Sequence, residues 1–129
     1  MPDNDDAYAA GLEIRRKMWG KAGADDRIEA ASSFNRPAED FVTSFCFGQV
    51  WTRPELDHKT RSLLTIGLLA VLAKPTQLRS HVRGAIANGA TVAEIREVLL
   101  HVMIYGGVPA SVDAFIHARE TLQEMGLDA

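Results

Sequence analysis

His81 lies within LAKPTQLRSHVRGAIANG, residues 72–89, and is the side chain best suited by type and surroundings to move a proton. An imidazole titrates near pH 6.5, so it can give or take a proton close to neutrality. At about 100° per residue on a helix, Gln77, Leu78, Val82, Ala85 and Asn88 surround it, which sets it inside an otherwise apolar stripe. A neutral histidine with a satisfied N–H is also a common core residue, so the residues alone leave both readings open. Arg79 and Arg83 fall about 200° round the same helix, on the far side, where a neighbouring subunit is easier to meet than His81. His58, His101 and His117 are weaker candidates: the first follows a probable cap and the others are isolated. No pair has the His-x-x-x-His spacing of a helical metal site, so no metal is expected.

Charge points to the same region. The chain carries a net −3, yet Arg53 to Arg83 holds six basic and two acidic residues, a local +4 against −7 elsewhere. A cationic middle in an acidic protein suits a small anion, or equally a set of solvated helix faces. The acidic total and the lack of a recognisable motif argue against nucleic acid. Arg53, Arg61, Arg79 and Arg83 are candidate carboxylate ligands, because the planar guanidinium meets a carboxylate through two parallel hydrogen bonds. Trp51 and Tyr105 are candidate pocket walls, the latter with a phenol that could donate to a ligand oxygen.

These groups need a scaffold, and 129 residues with 47% hydrophobic content suffice for one domain with its own core. The single Cys46 excludes an intramolecular disulfide and any Cys-x-x-Cys motif, in keeping with a reducing cytoplasm. MPDNDDAYAA lacks the basic start and apolar stretch of a secretory signal. The longest apolar run, Leu63 to Ala73, is interrupted by Thr65 and falls short of the roughly 20 residues that cross a bilayer. A soluble protein away from membranes is expected.

Helical periodicity runs through nearly the whole chain, without convincing alternation of period two, so the fold class is all-α with about six or seven helices. The first helix spans about Ala7 to Trp19 and stops in GKAG; a short second one covers Asp25 to Ser33. Pro37 suits the first turn of a third, carrying Phe41, Val42, Phe45 and Cys46 before Gly48. WTRPELD, 51–57, reads as a turn. The helix from about Asp57 to Ala73 has hardly any polar face and should be central and most buried. Pro75 opens the next, which ends at Asn88-Gly89. Thr91-Val-Ala-Glu94 is a capping-box pattern, and GGVP at 106–109 separates that helix from the last. One nearly all-apolar helix among short partners also predicts a homo-oligomer.

Two blocks carry a resemblance: FGQVWTRPELDHKTRSLLTIGLLAVL and LRSHVRGAIANGATVAEIREVLLHVMIYGGVPASVDAF. In order and spacing they resemble the carboxymuconolactone decarboxylase family over roughly Phe47 to Leu122, specifically its γ-carboxymuconolactone decarboxylase branch. The resemblance implies a compact helical fold of the alkylhydroperoxidase D type, 1–129 as one domain, assembled as a homotrimer or homohexamer. The peroxidase branch uses Cys-x-x-Cys-x-x-x-His. Counted back from His81, its cysteine positions fall on Lys74 and Gln77, so the thiolate and the resolving thiol are missing. Where Glu-Leu-Arg-x-His is expected in the lactone decarboxylases, this chain reads Gln77-Leu78-Arg79-Ser80-His81, an amide in place of a carboxylate.

The activity implied by the resemblance is loss of CO2 from 4-carboxymuconolactone to give 3-oxoadipate enol-lactone, in the catabolism of protocatechuate and related aromatics. No cofactor is implied. The electrons left by the C–CO2 bond pass into the conjugated lactone carbonyl, so the substrate is its own electron sink. The protein supplies orientation of two carboxylates, stabilisation of a developing oxyanion, and an acid. On this reading His81 protonates the dienolate, while Arg53 or Arg61 binds carboxylate. Arg79 or Arg83 contributes from the other side or another subunit, and Trp51, Gln77 and Tyr105 line the pocket. Two other classes compete: a different small-molecule lyase or isomerase using the same pocket, and a non-catalytic ligand-binding or assembly protein.

Overall fold

The computed structural model describes residues 4–129; the expected acidic start falls partly on residues 1–3, outside the described residues. Among the described residues the chain is all-α, with seven α-helices, one π-helix and no strand. It divides into two compact units, residues 1–57 and 58–129.

In the first unit, α1 (Asn4–Gly23) is interrupted at Gly20, whose φ of 70° ends the regular helix at the start of GKAG. Two short helices follow, α2 (Asp25–Glu29) and α3 (Arg36–Phe41). The single third helix expected after Pro37 is instead α3 continued by a π-helix over Val42–Val50. The π-helix lies tightly on α1. A Cβ on Gly48 would stand 2.0 Å from the Ala7 carbonyl oxygen, and one on Gly11 would stand 1.8 Å from that of Thr43. Only glycine allows backbones to meet so closely. Beside this contact Ile14, Met18, Phe47 and Trp51 form a small core, with the Trp19 ring edge-on to Phe47 at 5.6 Å. Arg15 is buried here, its Nη1 donating to Thr43 Oγ1 at 2.9 Å and lying 2.9 Å from Glu39 Oε2.

The second unit packs α4 (His58–Val71), α5 (Pro75–Ala87), α6 (Val92–Tyr105) and α7 (Val108–Glu124) around one core. The stripes seen in the sequence supply it: Leu78, Val82 and Ala85 from α5, Ile95, Leu99 and Val102 from α6, Leu122 from α7. The terminators act where expected. Pro75 and Pro109 sit in first turns, Gly89 takes φ 93° after the Asn88 cap, and Gly107 takes φ 107° before α7. Thr91 and Glu94 form the reciprocal capping box, each hydrogen bond 3.0 Å long.

One expectation is corrected. α4 buries Ser62, Ile66 and Ala70, a single row at i, i+4, i+8, while Leu64, Leu68, Val71 and Leu72 stand half open to solvent. The helices of this unit cover one side of α4, and its other apolar side stays at the surface of the single chain.

Candidate functional site

His81 occupies the middle of α5, which its apolar stripe holds against the core of the second unit. Leu78 and Val82, its neighbours at i−3 and i+1, are almost fully buried. Burial of the imidazole pushes its pKa down to about 4, since a low-dielectric surrounding disfavours the charged ring. At pH 7 the ring is neutral in this structure, and something must supply positive-charge stabilisation before it can act as an acid.

Asn88 shares the His81 face of α5 two turns further on and donates from Nδ2 to Ser62 Oγ of α4 at 3.0 Å. Ser62 is fully buried. This bond ties the C-terminal end of α5 to α4, on which Arg61 and Thr65 are the polar residues near Ser62 in the chain. Thr65 Oγ1 donates back to the Arg61 carbonyl at 2.7 Å. Lys59 Nζ lies 2.9 Å from Glu94 Oε2 and draws that carboxyl below the usual carboxylate range, helped by the Thr91 backbone N–H. The first turn of α4 is thereby tied to the capping box of α6.

The other predicted residues are placed variously. Arg79 and Arg83 point away from His81, as the helix geometry requires, and both engage α7. Arg79 Nη2 pairs with Glu120 and lies 2.8 Å from His117 Nδ1; Arg83 Nη2 donates to Glu124 Oε2 at 2.7 Å. The Arg79 guanidinium holds the Glu120 carboxyl below its ordinary range. These arginines brace α5 against α7 within one chain. His117, isolated in the sequence, is part of that brace, with Asp113 3.9 Å from its Nε2. Gln77 is exposed in the first turn of α5, one turn before His81. Tyr105 is 80% exposed at the end of α6, its ring 4.8 Å from that of His101. Trp51 and Arg53 belong to the first unit. There Trp51 packs on Phe47 at 5.2 Å, and Arg53 is 3.7 Å from Glu55.

Sequence reasoning did not single out Ser62, and it read Asn88 as a neighbour of His81 on the helix face and as a turn signal, without a partner on α4. The available signal was a small polar residue inside an apolar helix facing a helix-ending amide, which is weak without the fold. Among the described residues no group of three or more His, Cys, Asp or Glu side chains is gathered to hold a metal ion, and Cys46 is unpaired with another cysteine. Among the described residues no helix is long and apolar enough to cross a membrane.

A sequence profile of the carboxymuconolactone decarboxylase family matches residues 37–120. The chain is 36% identical over 125 residues to a 4-carboxymuconolactone decarboxylase of Acinetobacter baylyi, covering 97% of this chain and 93% of that protein. It is 39% identical over 118 residues to a nitrosuccinic acid decarboxylase of Metarhizium robertsii, covering 92% and 82%. An uncharacterised 15.0 kDa protein of Paracoccus denitrificans is 46% identical over 81 residues, 60% of each chain.

Proposed function

Since the chain belongs to the carboxymuconolactone decarboxylase family, we propose that it is a carboxy-lyase acting on 4-carboxymuconolactone and releasing CO2 and 3-oxoadipate enol-lactone. The observation that carries this reading is the identity to the Acinetobacter enzyme along nearly the whole of both chains. The reaction belongs to aromatic catabolism in the cytoplasm and is run by a homotrimer or homohexamer.

The C–CO2 bond breaks with its electron pair entering the conjugated lactone, which becomes a dienolate, and one proton is delivered to carbon. His81 is the donor. Burial holds its pKa at about 4, so on this reading the substrate's own carboxylates raise it on binding and the proton is taken up as the anion arrives. Arg61, beside Ser62 on α4, is the choice within this unit for holding a substrate carboxylate. Arg79 and Arg83 would have to leave Glu120 and Glu124 to reach substrate. Gln77 and Tyr105, of the same unit as His81, remain proposed walls. The lactone accepts the electrons, so the proposed reaction needs no cofactor.

The identity to the fungal relative favours a second reading, decarboxylation of nitrosuccinic acid. The demand on the protein is the same: two carboxylates to orient and a carbanion stabilised by the substrate, here as a nitronate. Purified protein offered each acid separately, with CO2 release followed, decides between them by the ratio of kcat/KM. Binding of both acids without CO2 release overturns both readings.

A further inference from the structure

We propose that the cavity between the end of α4, the start of α5 and the first half of α7 binds a small aliphatic amino acid, with Lys74 taking its carboxylate and Asp113 its ammonium group. The inference does not depend on the decarboxylase reading, and the wall of this cavity does not include His81.

The cavity has a volume of about 310 Å³. That is at the small end of ligand pockets, and at a water's share of roughly 30 Å³ it corresponds to about ten non-hydrogen atoms. Its walls are mostly apolar, with Leu69 and Ala70 from α4, Leu78 from α5 and Ala110 from α7. Three polar side chains interrupt them: Lys74, Asp113 and His117. Among the described residues no carboxylate lies within ion-pair distance of the Lys74 ammonium, whereas Lys59, Arg79 and Arg83, on either side of it in the chain, are each paired. His117 is already committed. Arg79 Nη2 lies 2.8 Å from its Nδ1, and because a guanidinium only donates, Nδ1 accepts and the ring hydrogen sits on Nε2. Asp113 Oδ2 stands 3.9 Å from that Nε2, beyond hydrogen-bond range. One uncommitted cation and one uncommitted carboxylate thus line the same small cavity without pairing with each other.

The backbone fixes the cation. α4 ends in a closure in which the Ala73 N–H donates to the Ala70 carbonyl at 3.2 Å and the Lys74 N–H to the Leu69 carbonyl at 3.1 Å. The Lys74 carbonyl then accepts from the Leu78 N–H at 2.9 Å and opens α5, with Pro75 in its first turn. Lys74 is therefore held by both helices at once. Ala73 takes φ 55°, a left-handed conformation that such a closure ordinarily gives to glycine. The methyl group that makes this conformation costly belongs to the cavity wall, so the strain falls where it completes an apolar lining.

Charge decides the ligand. A lone carboxylic acid would meet Lys74 but bring its own charge near Asp113, and a lone amine would do the reverse. A dicarboxylate is disfavoured further for the same reason, which separates this cavity from the site proposed around His81. A zwitterion satisfies both groups through charge-assisted hydrogen bonds. An aliphatic side chain then covers the apolar walls.

The test titrates the full-length protein by calorimetry with L-leucine, with 4-methylpentanoate, which lacks the ammonium group, and with 3-methylbutylamine, which lacks the carboxylate. Leucine should bind with a Kd at least about fivefold below that of either analogue, the worth of one charge-assisted contact at a hydrated rim. Lys74→Met should erase its advantage over the amine, and Asp113→Asn its advantage over the acid. Both side chains are exposed, so the fold should persist by circular dichroism. Ala110→Leu, which fills the cavity, should abolish binding of all three, while His81→Ala should alter none. The proposal is overturned by absence of saturable leucine binding up to roughly 50 mM, or by equal affinity for leucine and either analogue. A charge variant that leaves its ratio unchanged overturns it too, as does undiminished binding to folded Ala110→Leu. Loss of leucine binding in folded His81→Ala would place the amino acid in the other site and count equally against it. If Ala110→Leu does not fold, the two charge variants decide alone.

Discussion

As the proposed proton donor, His81 would meet two requirements that pull in opposite directions: its burial lowers its pKa and favours the neutral ring, while protonating a carbanion needs the charged one. His81→Ala should lower kcat by roughly 10²- to 10⁴-fold with the assembly intact, the span for a positioned general acid. A folded variant with near-normal kcat would show the ring to be packing only. Arg61→Ala should raise KM if the guanidinium holds a ground-state carboxylate, and lower kcat if the contact strengthens in the transition state. The pH profile gives a separate reading. kcat/KM, which reports the free enzyme, should fall as pH rises above about 4, and the corresponding fall in kcat should lie at higher pH, where bound carboxylates stabilise the imidazolium. Stability has its own sign. The unfolded chain takes up a proton at His81 below about pH 6.5 and the folded chain only near 4, so acidification through that window favours unfolding, by at most about 3 kcal/mol. His81→Gln should lose less stability than wild type between pH 7 and 5 in denaturant titrations; equal losses would place the imidazole in a more polar setting than its burial implies.

Two elements depend on single residues in ways that can be measured. The crossing of α1 and the π-helix brings Gly48 so near the Ala7 carbonyl that an added methyl has nowhere to go but into backbone. Gly48→Ala should destabilise the first unit by about 3 kcal/mol, because two backbones must separate instead of one side chain turning. A loss below about 0.5 kcal/mol in urea unfolding would mean that the crossing is loose. At α6, Thr91→Ala removes an acceptor for the Glu94 N–H and should cost about 1 kcal/mol. Thr91→Ser, which keeps the oxygen, should recover most of it. The brace of Arg79 and Arg83 on α7 belongs to this scale as well. It joins residues 41 apart in the chain, and it holds in place the helix that carries His81.

At the scale of the whole molecule, the chemistry proposed for this chain asks nothing of a thiol or a metal. Cys46 is its lone cysteine, and the described residues gather no cluster of metal-ligating side chains. Cys46→Ser and prolonged treatment with a chelator should each leave CO2 release within a few-fold of the untreated enzyme. A loss beyond about tenfold in folded protein would bring a cofactor back into the reaction. The same preparations can be compared by light scattering, which separates an effect on chemistry from one on assembly.

Signals that act over a few residues were legible in the amino-acid order. Pro75, the Asn88-Gly89 step, the Thr91–Glu94 box and Gly107 end or start helices through the backbone torsions and hydrogen bonds of their own neighbourhoods. The core stripes of α5 and α6 were legible for a related reason, since helical spacing alone sets which side chains share a face. The missing Cys-x-x-Cys argued against thiol peroxidase chemistry without any need of the fold. What lay beyond the sequence were choices among distant partners. Arg15 and Thr43 are 28 residues apart, Ser62 and Asn88 26, Arg79 and Glu120 41. Periodicity could show that α4 is apolar all round, but not which side its own chain would cover. Likewise the type of residue 81 made it a candidate acid, while its neutrality at pH 7 came from desolvation. That quantity depends on everything folded around the ring, and no local pattern of residues encodes it.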